Sequence, residues 1–314
     1  MSSLIEQAAV RLEQLRRAGV SIPETAAPAA VPPQVTPPVV MQSAQPAEKR
    51  LRTSQQVTLD LDALGAIGIV TPNAPRSQAA DQYRVIKRPL ITNAKSMGSS
   101  VLNHGNLIMV TSALVGEGKS FTSVNLAMSI AMELDNTVML VDADVARPSV
   151  LRMLGLPPRP GLLDLLDGST DMASVLLKTN IDKLTLLPSG TPHPQATELL
   201  ASDAMRVLLD DMAKRYADRI IIFDSPPLLL TTEARVLATQ MGQVVMVVQA
   251  DKTLQADVQR ALSTIKACAN INLVLNKGRG DSDGGNRGFG YGYGYGYGYG
   301  YDHGSRAPDG RSAT

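Results

Sequence analysis

Asn106-Leu-Ile-Met-Val-Thr-Ser112 runs without a break into Ala113-Leu-Val-Gly-Glu-Gly-Lys-Ser120, and a helical pattern follows from Phe121 to Glu133. A β-branched apolar run, a glycine-containing turn and a helix, in that order, are the setting in which GxxxxGK[ST] spacing marks a phosphate-binding loop. Gly116 and Gly118 allow the backbone to turn several N–H groups toward one concavity. The helix starting near Lys119 adds the positive end of its dipole. Lys119 is expected to reach the β- and γ-phosphates of a nucleotide, and the Ser120 hydroxyl to coordinate Mg²⁺. Val115, Gly116, Glu117, Gly118, Lys119, Ser120 and Phe121 make up the expected nucleotide-binding stretch. Ala113 stands where the pattern has its first glycine.

Working outward, the loop opens a series of strands and helices. Thr137–Val141 reads as a second buried strand, ending at Asp142-Ala-Asp144, and Leu184–Leu187 as a third. Arg219–Phe223 is a fourth, ending at Asp224, and Gln243–Val248 and Ile271–Leu275 complete the set. One long amphipathic helix is expected over Thr197–Tyr216. Unbroken apolar runs alternating with helices predict an α/β fold of the P-loop NTPase type, with a mostly parallel sheet covered by helices on both faces.

Carboxylates at the carboxyl ends of such strands face the crevice where ligands bind. A charge there is costly unless something pairs with it, and Mg²⁺ bound to nucleotide phosphates would be that partner. Asp224, after an apolar strand, has the form of a Walker B aspartate. The Asp142/Asp144 pair adds information. A simple ATPase needs one metal-side carboxylate and a positioned water, whereas a kinase also needs a group to accept the proton of an incoming hydroxyl. Two carboxylates, two residues apart, could divide these roles.

Composition narrows the classes. The chain has 314 residues, 44% of them hydrophobic, with a net charge of +1, which suits one substantial domain with appendages and gives no support for a nucleic-acid binder. The single cysteine, Cys268, excludes an intramolecular disulfide framework and a Cys-cluster zinc site. With no apolar run near ~20 residues and no signal peptide apparent, a cytoplasmic protein is expected.

The flanks differ from the centre. Residues 1–20 read as an amphipathic helix, with Leu4, Ile5, Ala8, Leu12 and Leu15 on one face, suited to docking a partner. Residues 21–48 are rich in proline and alanine and read as a semi-rigid tether. A short strand is expected over Val57–Leu61, then a helix from Asp81 that Pro89 stops, its basic side available for a subunit contact. Residues 279–314 are an irregular tail in which tyrosine alternates with glycine at Tyr291, Tyr293, Tyr295, Tyr297, Tyr299 and Tyr301. Glycine at every second position argues against a core or helix there. A flexible stretch from Lys277 to Tyr301 would span roughly 25–30 Å, enough to offer tyrosines to an active site, its own or a neighbour's. The rival reading is a sticky Gly/Tyr segment that self-associates unmodified.

The run Val138-Met-Leu-Val-Asp142-Ala-Asp144-Val-Ala-Arg147-Pro148 lies between a Gly-Glu-Gly-Lys-Ser loop and Ile-Ile-Ile-Phe-Asp224-Ser-Pro-Pro227. In this it resembles the bacterial tyrosine kinases of exopolysaccharide synthesis, particularly autokinases of exosortase-associated loci. The resemblance extends from about residue 49 to 278, the expected kinase domain. It implies that Lys119 and Ser120 hold phosphate and Mg²⁺, that Asp142 and Asp224 organise the metal, and that Asp144 orients or deprotonates an acceptor tyrosine. It places Asn276 near adenine and makes the tail tyrosines phospho-acceptors. Two departures are visible: Ala146 precedes Arg147 where an arginine is common, and the Glu-x2-Arg-x2-Arg oligomerisation signature becomes Asp81, Arg84 and Lys87. ATP and Mg²⁺ are the implied cofactors. The implied partners are a membrane copolymerase of the chain-length-determinant type as activator, further copies of the chain, and a cognate tyrosine phosphatase. That would recruit the protein peripherally to the inner face of the cell membrane. The alternative is a membrane-cycling or partitioning ATPase acting as a nucleotide-switched binding module. Such proteins usually carry an extra lysine early in the loop, where this chain has Ser112 and Ala113.

Overall fold

A computed structural model describes residues 55–73, 77–96 and 102–278. The expected N-terminal helix, the proline-rich tether and the tyrosine tail lie outside these residues. Eight strands form one sheet: β1 (Gln55–Gln56), β2 (Leu107–Ser112), β3 (Thr137–Asp142), β4 (Leu177–Lys178), β5 (Leu184–Leu187), β6 (Arg219–Asp224), β7 (Gln243–Gln249) and β8 (Ile271–Asn276). Their spatial order is β1-β4-β5-β3-β6-β2-β7-β8. Every pairing is parallel except β4 with β5.

The four central strands read as apolar runs because both of their faces are covered. Met109, Val141, Phe223 and Met246 belong to the core on one face. Ile108, Val110, Leu140, Ile222, Val245 and Val247 belong to the core on the other. The first helices are α1 (Leu61–Ala66), α2 (Gln78–Ala94) and α3 (Lys119–Ala131). After β3 come α4 (Val150–Met153), α5 (Leu162–Leu166) and α6 (Met172–Val175). Between the later strands lie α7 (Ala196–Leu200), α8 (Asp203–Arg215), α9 (Thr232–Thr239) and α10 (Gln255–Thr264). Helix α3 is buried almost all round, since it touches β2, β3 and β6 as well as α2.

Four expectations are corrected. The strand expected over Val57–Leu61 does not form, the strand at this point being Gln55–Gln56, because Asp60 Oδ1 accepts from Ala63 N at 3.0 Å and caps α1 at Leu61. The Asn180 amide takes both backbone groups of Leu59 in place of a ladder partner. Pro89 does not stop α2, which continues to Ala94. It sits on the exposed side, while Tyr83, Lys87 and Leu90 are buried on the other. The helix expected over Thr197–Tyr216 is two helices, because Ser202 caps the second by accepting from Met205 N at 3.3 Å.

The fourth correction concerns Lys87, expected on a contact surface. It is only 4% exposed, donating 2.6 Å to Ser129 O of α3 and pairing with Glu133 at 2.6 Å. It fastens α2 to α3. Arg84 stays on the exposed side, paired with Asp81.

Candidate active site

The loop after β2 turns at Gly116 and Gly118, whose φ values of 83° and 99° suit glycine. A Cβ on Gly118 would lie 2.1 Å from the Asn276 amide nitrogen. Glu117 is buried, and its carboxylate accepts from Leu114 N at 2.6 Å, from Gln249 N at 3.4 Å and from the Thr253 hydroxyl. From the end of β8, Asn276 Nδ2 donates to Glu117 O at 2.9 Å and Lys277 Nζ to Gly116 O at 2.6 Å. These bonds brace the loop through its carbonyls and one side chain. Apart from the Leu114 N–H, they do not engage the loop's N–H groups, as an anion cradle requires.

Helix α3 starts at Lys119, and Lys119 Nζ donates to Asp144 Oδ2 at 2.6 Å. The Ser120 hydroxyl accepts hydrogen bonds from Ser149 Oγ at 2.8 Å and from Lys119 Nζ at 3.3 Å. One turn on, Ser123 Oγ donates to Asp224 Oδ1 at 3.0 Å. Asp142 and Asp224 are opposite each other in the β3–β6 register, so neighbouring strands present both carboxyls together. Asp142 Oδ2 accepts from Ser149 N and Val150 N, both at 3.0 Å, and Asp144 Oδ1 from Arg147 N at 3.2 Å. The structure therefore gathers Lys119, Ser120, Asp142, Asp144 and Asp224 into one site, with Asn276 bonded to the loop beside them.

Burial pushes the Asp142 carboxyl up to about 7, with the neighbouring Asp224 adding to the rise and the two backbone N–H groups opposing it. Burial likewise lifts Asp224 to about 6, against the pull of Lys119 and the Ser123 hydroxyl. Asp142 Oδ1 and Asp224 Oδ2 are buried without a hydrogen-bond partner. Two orphaned carboxylate oxygens beside a serine hydroxyl are hard donors that fit Mg²⁺. Among the described residues no group of three or more His, Cys, Asp or Glu could hold a metal.

Next to this centre lies a cleft of about 470 Å³ reaching Asp142, its walls including Pro148, Leu151, Arg152, Pro158 and Arg159. An apolar slot with two arginines suits an aromatic ring carrying a group that becomes anionic. Sequence reasoning passed over Ser123 and Ser149. Ser123 could have been found from its place one turn after Ser120 on the same helix. Ser149 carried no signal, since its role comes from the chain folding back under Asp142. The six tail tyrosines lie outside the described residues.

A glycine-turned loop between a central strand and a buried helix, with carboxylates at the adjacent strand ends, defines a P-loop nucleotide-binding protein. A family described as an AAA domain matches residues 105–276, more than half of the chain. The tyrosine-protein kinase YwqD of Bacillus subtilis (strain 168) is 32% identical over 200 residues, covering 64% of this chain and 81% of that one. The tyrosine-protein kinase CpsD of Streptococcus pneumoniae serotype 4 is 31% identical over 191 residues, covering 60% and 81%. The crystal structure of the VpsO kinase domain superposes with a TM-score of 0.52 at 27% identity, over 62% of this chain and 94% of that one. The chain belongs to the bacterial tyrosine-protein kinase family, built on an AAA domain of P-loop NTPase fold.

Proposed function

We propose that this chain is an ATP- and Mg²⁺-dependent protein-tyrosine autokinase whose acceptors are Tyr291, Tyr293, Tyr295, Tyr297, Tyr299 and Tyr301. The single observation that carries the reading is the separation of the carboxylates. Asp142 and Asp224 keep buried, unpartnered oxygens, whereas Asp144 is held by Lys119 and by Arg147 N, which suits it to a separate role as base. A hydrolase that only activates water has no need of the third carboxylate.

In this reading the loop N–H groups and Lys119 hold the phosphates, and Ser120, Asp142 and Asp224 hold Mg²⁺. Bound Mg²⁺ would neutralise charge on the β- and γ-phosphates. Entry of the phosphates draws Lys119 from Asp144, leaving that carboxylate free to accept the phenolic proton. The phenolate oxygen forms the new bond to the γ-phosphorus as the bond to the β–γ bridging oxygen breaks, and ADP leaves. The acceptor ring enters through the cleft beside Asp142. Residues 49–278 serve as the kinase domain, residues 1–20 as a docking helix, 21–48 as a tether and 279–314 as the acceptor tail.

Family membership supports a role in regulating exopolysaccharide synthesis or export, with a membrane copolymerase as activator, a second copy receiving the tail and a phosphatase resetting it. Among the described residues no helix is long and apolar enough to cross a membrane.

The test is intact mass and phosphopeptide mapping after incubation with Mg-ATP, on the unaltered chain, Asp144→Ala and a variant with all six tail tyrosines changed to phenylalanine. Phosphate on residues 291–301 that disappears in Asp144→Ala is the expected result. Steady ATP hydrolysis with no incorporation, even with the membrane partner present, would favour the nucleotide-switched ATPase instead.

A further inference from the structure

The sheet has an open edge. β8 is the last strand in the order and pairs only with β7. Asn270 O and Asn276 O accept from Val244 N and Ala250 N. The alternation of a strand therefore turns the backbone groups of Ile271, Leu273 and Leu275 outward. Natural sheets guard such an edge with charge, proline or a bulge, or they cover it. β8 reads Ile-Asn-Leu-Val-Leu-Asn, with neither charge nor proline. Leu273 and Leu275 are 57% and 70% exposed, the only large apolar side chains so exposed in a strand among the described residues. Both project on the same face as Ile271, which packs against the core there with Val258 and Leu262 of α10.

We propose that the tyrosine repeat, residues 291–301, adds to this edge as a strand beside β8 of its own chain. Tyrosine at every second position places all six rings on one face of an extended strand, matching the period of Leu273 and Leu275. Glycine on the opposite face makes the strand too costly in entropy to form alone, so it needs a template and docks reversibly. The connection is long enough. Six residues of β8 span about 20 Å, while the 12 residues between Gly278 and Tyr291 reach about 40 Å when extended. The chain can therefore return antiparallel along the strand it has just left.

The repeat is longer than β8, so several registers two residues apart are equivalent, and each puts about three rings over the leucine face. Docking does not depend on the kinase reading. If that reading holds, phosphate on the docked face would set charge over Leu273 and Leu275 and release the strand.

The experiment is residue-resolved amide hydrogen exchange on the full chain, without nucleotide, at two protein concentrations tenfold apart. It compares the unaltered chain with a variant carrying serine at all six tail tyrosines. The expected result is slow exchange at Leu273 and Leu275, independent of concentration. In the serine variant exchange there should be at least tenfold faster, with Val245 and Val247 unchanged as a control for folding. Fast exchange at both leucines in the unaltered chain would overturn the proposal, since the edge would be bare. So would equal protection in the serine variant, since the tyrosine rings would then have no part in it. Protection that rises with concentration would overturn it in favour of a second copy.

Discussion

Lys119 Nζ donates to Asp144 Oδ2 at 2.6 Å, with the lysine side chain 12% and the aspartate side chain 5% exposed. The cation of the phosphate loop is thus paired with the carboxylate proposed as base. Phosphate and Asp144 therefore compete for the same ammonium group.

Removing either partner should separate binding from chemistry. Lys119→Met is expected to weaken ATP binding at least tenfold, about 1.4 kcal/mol. Asp144→Ala should leave ATP affinity equal or tighter, because the competitor is gone, while tyrosine phosphorylation falls by about 100-fold or more. Titration calorimetry with ATP and phosphate incorporation, run on both variants, check this. Equal loss of ATP binding in the two would move Asp144 to the nucleotide side.

The carboxyls at the strand ends make the metal-free chain sensitive to pH. Asp142 rises from 3.8 to about 7 on folding, so the folded state holds its proton through a range where the unfolded state has lost it. Stability from this group is therefore complete below pH ~4 and lost as pH rises toward 7, by at most about 4 kcal/mol. In chelator, Tm should fall between pH 5 and 8. Asp142→Asn should flatten that slope and raise Tm at pH 8. A Tm that climbs with pH in the unaltered chain and is indifferent to Asp142→Asn would refute the assignment.

Lys87 gives a stability test with no bearing on ligands. Lys87→Ala removes a buried donor from Ser129 O and the ion pair to Glu133, and should cost about 2–3 kcal/mol in urea unfolding. Glu133→Gln should cost less than about 1 kcal/mol, because that side chain is 41% exposed. If Lys87→Ala instead changes oligomeric state at unaltered stability, the lysine works at a surface after all.

The brace behind the loop predicts a graded response. Gly118→Ala places a Cβ against Asn276 at a φ of 99°, and should abolish high-affinity ATP binding while the fold persists by circular dichroism. Asn276→Ala and Lys277→Ala, which release Glu117 O and Gly116 O, should each weaken ATP binding several-fold, shifting KM more than kcat.

The centre of the fold was legible because β2, β3, β6 and β7 are enclosed on both faces, and only continuous apolar runs survive there. Asp142 and Asp224 stood out for the same reason, as charges at the ends of such runs. The rest depended on contacts far apart in the chain. Arg84, Lys87 and Arg88 look like one basic stripe, yet the turn of α2 carries Lys87 inward to Ser129 and Glu133. Asp60 as a helix cap overrode an alternating pattern, and buried contacts on one side of α2 carried that helix past Pro89. The Lys119–Asp144 pair joins residues 25 apart, and no periodicity encodes it.

The strand order also has a consequence in time. β2 lies between β6 and β7, so the strand that launches the phosphate loop has neither lateral neighbour until residues 219–249 exist. A nascent chain that has made the loop cannot yet seat it, since pairing between segments so distant must wait for both. The tyrosine repeat begins at Tyr291, soon after β7 ends at Gln249. The nucleotide site and the tyrosines it is proposed to modify would thus mature almost together, leaving little interval in which the ribosome carries one without the other.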